Sequence, residues 1–172
     1  MKRKEKNGFT LIEILIYLVV LVIIMVTVSS FLLWMVRTTT KIQVVRDTVS
    51  NARHAMNVMT REIREADSLY TPTSTSTQLS LETRRNTPFG ETTTYIDFFL
   101  CGSALCLKRE SASPISLTTD NVEVADIEFV QVTTSSVPSV QIRLQIDYKN
   151  PGNKVDLDAS ITTTSTVSLR SY

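Results

Sequence analysis

The sequence predicts an α+β protein: one long N-terminal helix, with an apolar transmembrane half and an amphipathic half, packed on an antiparallel β-sheet. Three observations predict it. From Ile14 to Val36 there are 23 residues without a charge, 20 of them apolar. From Ile42 to Ala66 apolar residues recur at alternating spacings of three and four, the period of a helix with one buried face. From Gln78 onward the period falls to two, as in strands with one wet face.

Composition narrows the function. The chain has 172 residues and a net charge of +1, from 18 basic and 17 acidic side chains. That balance gives no strong nucleic-acid signal. One histidine, His54, and two cysteines, Cys101 and Cys106, are too few for a His-rich or Cys₄ metal centre. The four glycines form no phosphate-binding loop. With no G-x-S-x-G motif and a lone histidine on a helix, a Ser-His-Asp site is not expected either. The sequence therefore predicts no enzyme, no catalytic residue, no cofactor and no metal.

Residues 1–8, MKRKEKNG, carry Lys2, Arg3, Lys4 and Lys6 against Glu5, a net +3. Without them the chain has 14 basic and 16 acidic side chains, a net −2. The run from Ile14 to Val36 makes roughly 35 Å of helix, against about 30 Å of bilayer hydrocarbon. The positive octapeptide should stay in the cytoplasm and leave the rest outside. A cleavable secretory signal fits poorly, because its apolar region spans only about 7–15 residues and ends in an A-x-A site. A plain signal anchor leaves Glu13 unexplained, since a carboxylate within an apolar helix costs roughly 2.5–3.5 kcal/mol on insertion scales.

Cutting the chain between Gly8 and Phe9 supplies compensation for Glu13. The new α-amine on Phe9 is cationic, and Glu13 lies four residues on, one helical turn away. The string Gly8-Phe9-Thr10-Leu11-Ile12-Glu13, behind a short basic leader, resembles the type IV prepilin cleavage signal. The resemblance covers residues 1–36. It implies that a prepilin peptidase removes residues 1–8 and methylates the amine of Phe9, and that the fold is pilin-like. It also implies that Glu13 serves assembly, pairing with a neighbour's amine and setting axial register.

No Pro or Gly interrupts residues 9–71 and Pro72 ends the pattern, so one helix of about sixty residues is expected. Its apolar half is 9–36 and its amphipathic half 37–71. The stripe Ile42, Val45, Val49, Ala52, Met56, Met59, Ile63 and Ala66 should face a sheet of the same chain rather than a coiled-coil partner. Arg61–Glu65 and Arg64–Asp67 have the spacing of helix-surface ion pairs. His54 reads as a surface or boundary residue.

Residues 72–172 form the predicted extracytoplasmic β-rich domain, opened by the connector TPTSTST at 71–77. Strands are expected at Gln78–Glu82, Tyr95–Leu100, Leu105–Arg109, Ile115–Thr118, Val122–Val132, Val137–Tyr148 and Val155–Arg170, joined by short turns in an antiparallel sheet. Cys101 and Cys106 flank a predicted hairpin loop, Gly102–Leu105, where a disulfide could form across the turn. A pair of small buried thiols is the alternative. Ser and Thr total 42, and the clusters Thr92–Thr94, Thr133–Ser136 and Thr162–Thr166 suit exposed strands and loops.

The resemblance implies a structural subunit of a type IV pilus-like filament, or of a type II secretion or competence pseudopilus. Its partners would be prepilin peptidase, other pilin or pseudopilin subunits, an inner-membrane assembly platform and membrane lipid. It would be a single-pass membrane protein with a cytoplasmic N-terminus, open to extraction into a filament. Met59–Ala66 and Thr166–Arg170 are similar to segments of minor pseudopilins of the J type and minor pilins of the W type, which favours a minor subunit. Two alternatives are a DNA-binding minor pilin, using Arg84-Arg85 and Lys108-Arg109, and a static membrane-anchored surface protein or adhesin.

Overall fold

The computed structural model describes residues 10–132 and 138–169. Helix α1 spans Leu11–Glu65. The chain divides into two compact units, residues 1–40 and 41–172. In the first, every large apolar side chain from Leu11 to Val36 is at least 47% exposed. This half of α1 has no core of its own chain around it. Four of its hydroxyls bond within the helix: Thr27, Thr38, Thr39 and Thr40 donate to the carbonyls of Ile24, Trp34, Met35 and Val36 at 2.8–3.1 Å. Such back-bonding removes the penalty for placing a hydroxyl in an apolar medium.

In the second unit the rest of α1 joins eight strands: β1 (Ser68–Leu69), β2 (Leu79–Thr83), β3 (Thr94–Cys101), β4 (Ala104–Arg109), β5 (Ile115–Ser116), β6 (Val122–Val132), β7 (Ser139–Tyr148) and β8 (Ser160–Ser168). All pairings are antiparallel. They form two sheets, β1-β2-β3-β4-β5 and β6-β7-β8, where one was expected. The break falls at the turn before β6. There Asn51 of α1 accepts the Thr119 N–H at 2.9 Å and donates to Asp47 O at 2.8 Å. One core serves both sheets, with Ala52, Ala55, Met59 and Ile63 of α1 clustered with Leu81, Phe98 and Leu107 of the first sheet and Ile127, Ile142 and Leu144 of the second.

The stripe on α1 is buried only in part. Ala52, Met56, Met59, Ile63 and Ala66 are in the core, but Ile42 is 62% and Val45 42% exposed. Toward its N-terminal end the buried face passes to Val44 and Thr48. A strict 3,4 repeat drifts by about 20° per heptad around a 3.6-residue helix, so over three heptads the early members rotate off the covered side.

Element boundaries differ from expectation at several points, and the strand expected at Ile115–Thr118 is only Ile115–Ser116. The helix ends at Glu65 rather than near residue 71, because the chain enters the sheet at once. Asp67 N–H donates to Glu82 O and Tyr70 N–H to Ser80 O, both at 2.9 Å, and β1, which has no sequence signal, pairs with β2. Of the stretch expected as a strand from Val155, Val155–Leu157 is a 3₁₀ turn and Val155 is 78% exposed; β8 begins only at Ser160. The expected four-residue loop between the cysteines is a two-residue turn, Gly102-Ser103, with Cys101 opposite Ala104. Gly102 has φ +69°, a backbone conformation that glycine adopts without a Cβ penalty. Val137, Arg170 and the cluster Thr133–Ser136 lie outside the described residues.

Strand β6 shows how a local defect preserves the core. Its register shifts between Val124 and Asp126, a β-bulge. Val122 and Val124 face the core before the shift and Ile127 and Phe129 after it. Without the extra residue the second pair would point to solvent.

Candidate functional site

Helix α1 begins in the string singled out by the sequence. Gly8 and Phe9, the predicted processing pair, lie outside the described residues, as does the predicted leader. Thr10 is the first residue described. Its carbonyl accepts the N–H groups of Glu13 at 3.1 Å and Ile14 at 3.4 Å, so Glu13 occupies the first turn of α1. A carboxylate there is favoured by the unpaired N–H groups and the positive end of the helix dipole. Glu13 is also half-buried in a stretch where its neighbours are exposed. The Tyr17 hydroxyl, one turn on, donates to Glu13 Oε1 at 3.4 Å. This i,i+4 pair was readable from spacing alone but was overshadowed by the amine expected on Phe9.

Beyond Glu13 the helix carries no charge until Arg37. It is the one described helix long and apolar enough to cross a membrane. Phe31 and Trp34 stand at its far end with ring centroids 6.2 Å apart. An aromatic pair followed by a cation is the usual boundary between hydrocarbon and headgroups.

The far end of α1 is tied by ion pairs to β4 and to the segment after β2, as well as by one pair within the helix. Glu62, only 6% exposed, accepts through Oε1 from Arg109 Nη2 at 2.8 Å and Arg61 Nη2 at 3.2 Å. Arg85 pairs with Glu65, and Arg84 with Asp67 at 3.2 Å. The expected pairs Arg61–Glu65 and Arg64–Asp67 are replaced, because the turn after β2 brings Arg85 to Glu65 and Arg84 to Asp67. Sequence reasoning missed Glu62 as a buried carboxylate. Its place beside Ile63 on the stripe was the available signal.

This pairing bears on the basic residues considered for DNA. Arg84, Arg85 and Arg109 each have a carboxylate partner, so their charge is largely compensated on the surface. His54 is exposed. Among the described residues no group of three or more His, Cys, Asp or Glu is placed to hold a metal ion. Cys101 and Cys106 are disulfide-bonded across the β3–β4 turn, with Cα atoms 5.8 Å apart. They sit on one face of the hairpin in diagonal register, since Cys106 lies opposite Phe99.

Compared with known families, residues 3–29 match the prokaryotic N-terminal methylation motif. No curated protein and no solved structure matches the chain. The match covers most of the predicted leader, the Gly8-Phe9 junction, Glu13 and most of the apolar run, and none of the β-rich unit.

Proposed function

We propose, from an N-terminal methylation motif and a long apolar helix that are together consistent with a type IV pilin or pseudopilin, that this chain is a minor structural subunit of such a filament. The family is typically structural. The motif and the apolar helix point to a membrane-anchored protein with a single span, processed by a peptidase and assembled with other pilin subunits.

The observation that carries the proposal is the exposure of the apolar half of α1. Among the described residues its large apolar side chains are all exposed, so it needs lipid in one state and other helices in another. Leaving about 25 cal/mol per Å² of apolar surface uncovered would be prohibitive in water. The first-turn carboxylate gives that helix a register mark. After cleavage between Gly8 and Phe9, the methylated amine on Phe9 would sit at the positive end of a helix, an unfavourable place for a cation. Glu13 offsets it within the chain in the membrane, or in a neighbour during assembly. Buried ionic groups that set register are the best-attested use of such contacts. The peptidase and the inner-membrane platform would act on the membrane-stored form, whose leader is cytoplasmic. The type II secretion, competence and pilus machines are all compatible with this chemistry.

A static anchor is the second reading, favoured by one observation: Tyr17 already gives Glu13 an internal hydrogen bond. Mass spectrometry of the protein from native membranes and from sheared surface fractions separates the two. A mature start at Phe9 with one added methyl, and recovery in the sheared fraction, is the expected result. A chain still starting at Met1 overturns the proposal.

A further inference from the structure

Among the described residues strand β8 pairs with β7 alone and forms the edge of its sheet. Tyr148 N–H donates to Ala159 O, and Leu169 N–H donates to Pro138 O at the other end. With the ladder register Ile146↔Ile161 through Val140↔Val167, these bonds fix the alternation of an antiparallel pair. Residues 161, 163, 165 and 167 point their backbone groups at β7. Ser160, Thr162, Thr164, Thr166 and Ser168 point theirs away from the sheet. All five are exposed.

The opposite edge of the same sheet is treated differently. The outward N–H of Val124 is taken by Ser103 O and that of Phe129 by Ser76 O, each at 2.8 Å. Protein sheets normally blunt such edges with charge, proline, bulges or covering segments. Strand β8 has nine residues with no charge, no Pro and no Gly, and its ladder has no register shift.

The order of its side chains identifies the partner. The outward residues read Ser-Thr-Thr-Thr-Ser, the same in both directions about Thr164. The alternate residues, Ile161, Thr163, Ser165 and Val167, are also matched in kind about that point. A two-fold contact requires a self-complementary patch, and this strand is one. We infer that β8 pairs antiparallel with β8 of a second copy, Thr164 facing Thr164 of the other copy on the two-fold axis, to make one continuous sheet across two chains. The register places Thr162 against Thr166 and Ser160 against Ser168. Every outward residue then meets an outward residue, five pairs with two backbone bonds each. Facing Thr and Ser hydroxyls add cross-strand hydrogen bonds, and no like charges meet. The contact closes on two copies, so it is separate from any helix-mediated axial repeat and stands independently of the filament reading.

The test is cysteine cross-linking of the full chain in its native membranes, where Cys101 and Cys106 are bonded to each other. Cα atoms of such a facing pair lie about 5.5 Å apart, within disulfide range. With a mild oxidant, Thr164→Cys should give at least about ten-fold more disulfide-linked homodimer than Ser160→Cys, whose two copies are some 25 Å apart in this register. Mixing Ser160→Cys with Ser168→Cys should restore the dimer. Adding Thr162→Pro to Thr164→Cys removes an N–H that β7 does not use, and should abolish the cross-link without changing the melting temperature. Equal yields at positions 164 and 160, no dimer at 164, a cross-link that survives Thr162→Pro, or a disulfide to a different protein would each overturn the inference.

Discussion

Glu13 is the one charged side chain between Phe9 and Val36, and its position in the first turn of α1 makes it tolerable. Replacing it with Ala should leave cleavage at Gly8-Phe9 intact and reduce subunit recovered in sheared filaments at least ten-fold, measured by immunoblot against the membrane pool. Unchanged recovery would favour the static anchor. The second informative carboxylate is Glu62. Arg109→Met takes one arginine from this buried carboxylate and leaves it Arg61, which should cost about 1–3 kcal/mol in denaturant unfolding. Gly102→Ala meets no steric obstacle but must adopt φ +69°, so a loss of about 1 kcal/mol is expected from backbone strain alone.

At the scale of elements, α1 is one helix with two solvents. Its first half presents apolar residues on every side, and its second half buries a face led by Ala52, Ala55, Met59 and Ile63. The drift of the 3,4 repeat makes a sharp contrast testable. Met59→Ala, at a fully buried site, should cost about 2–5 kcal/mol. Ile42→Ala, on the same stripe by sequence but 62% exposed, should change stability by less than about 0.5 kcal/mol. Similar losses at both sites in chemical denaturation would show that the stripe is covered along its whole length. The β3–β4 hairpin is closed by a disulfide of sequence separation 5. Chain entropy for so short a loop gives about 2 kcal/mol, which the Cys101→Ser, Cys106→Ser double variant should lose.

At the scale of the whole molecule, the core lies wholly within residues 41–172. Among the described residues every buried side-chain nitrogen or oxygen has a hydrogen-bond partner. A chain of residues 41–172 should therefore be soluble without detergent and unfold in one cooperative step, while the full chain partitions into membranes. Circular dichroism on the fragment checks this. Loss of cooperativity would mean that the apolar half of α1 supports the fold as well as anchoring it.

Periodicity and charge were enough to determine the order of the parts: basic N-terminal segment, apolar span, amphipathic helix, strands. These are local properties. A run without charge must avoid water, and a period of two or nearly four states which face is apolar, whatever it packs against. Most strand positions were legible for the same reason. The ends of elements and their pairings were not. The helix stops at Glu65 because backbone groups of β2 offer hydrogen bonds there, not because of any breaker in the sequence. Val155 and Leu157 alternate like a strand but form a 3₁₀ turn that, among the described residues, pairs with no strand. The sheet divides in two where Asn51, a polar residue on an apolar face, holds a turn. The partners of Glu62, Glu65 and Asp67 come from residues up to 47 positions away, and only folding brings them within reach. The same is true of β8. Its Ser and Thr composition was visible from the start, but that five of its residues turn their backbone groups away from β7 follows only from which strand lies on its other side.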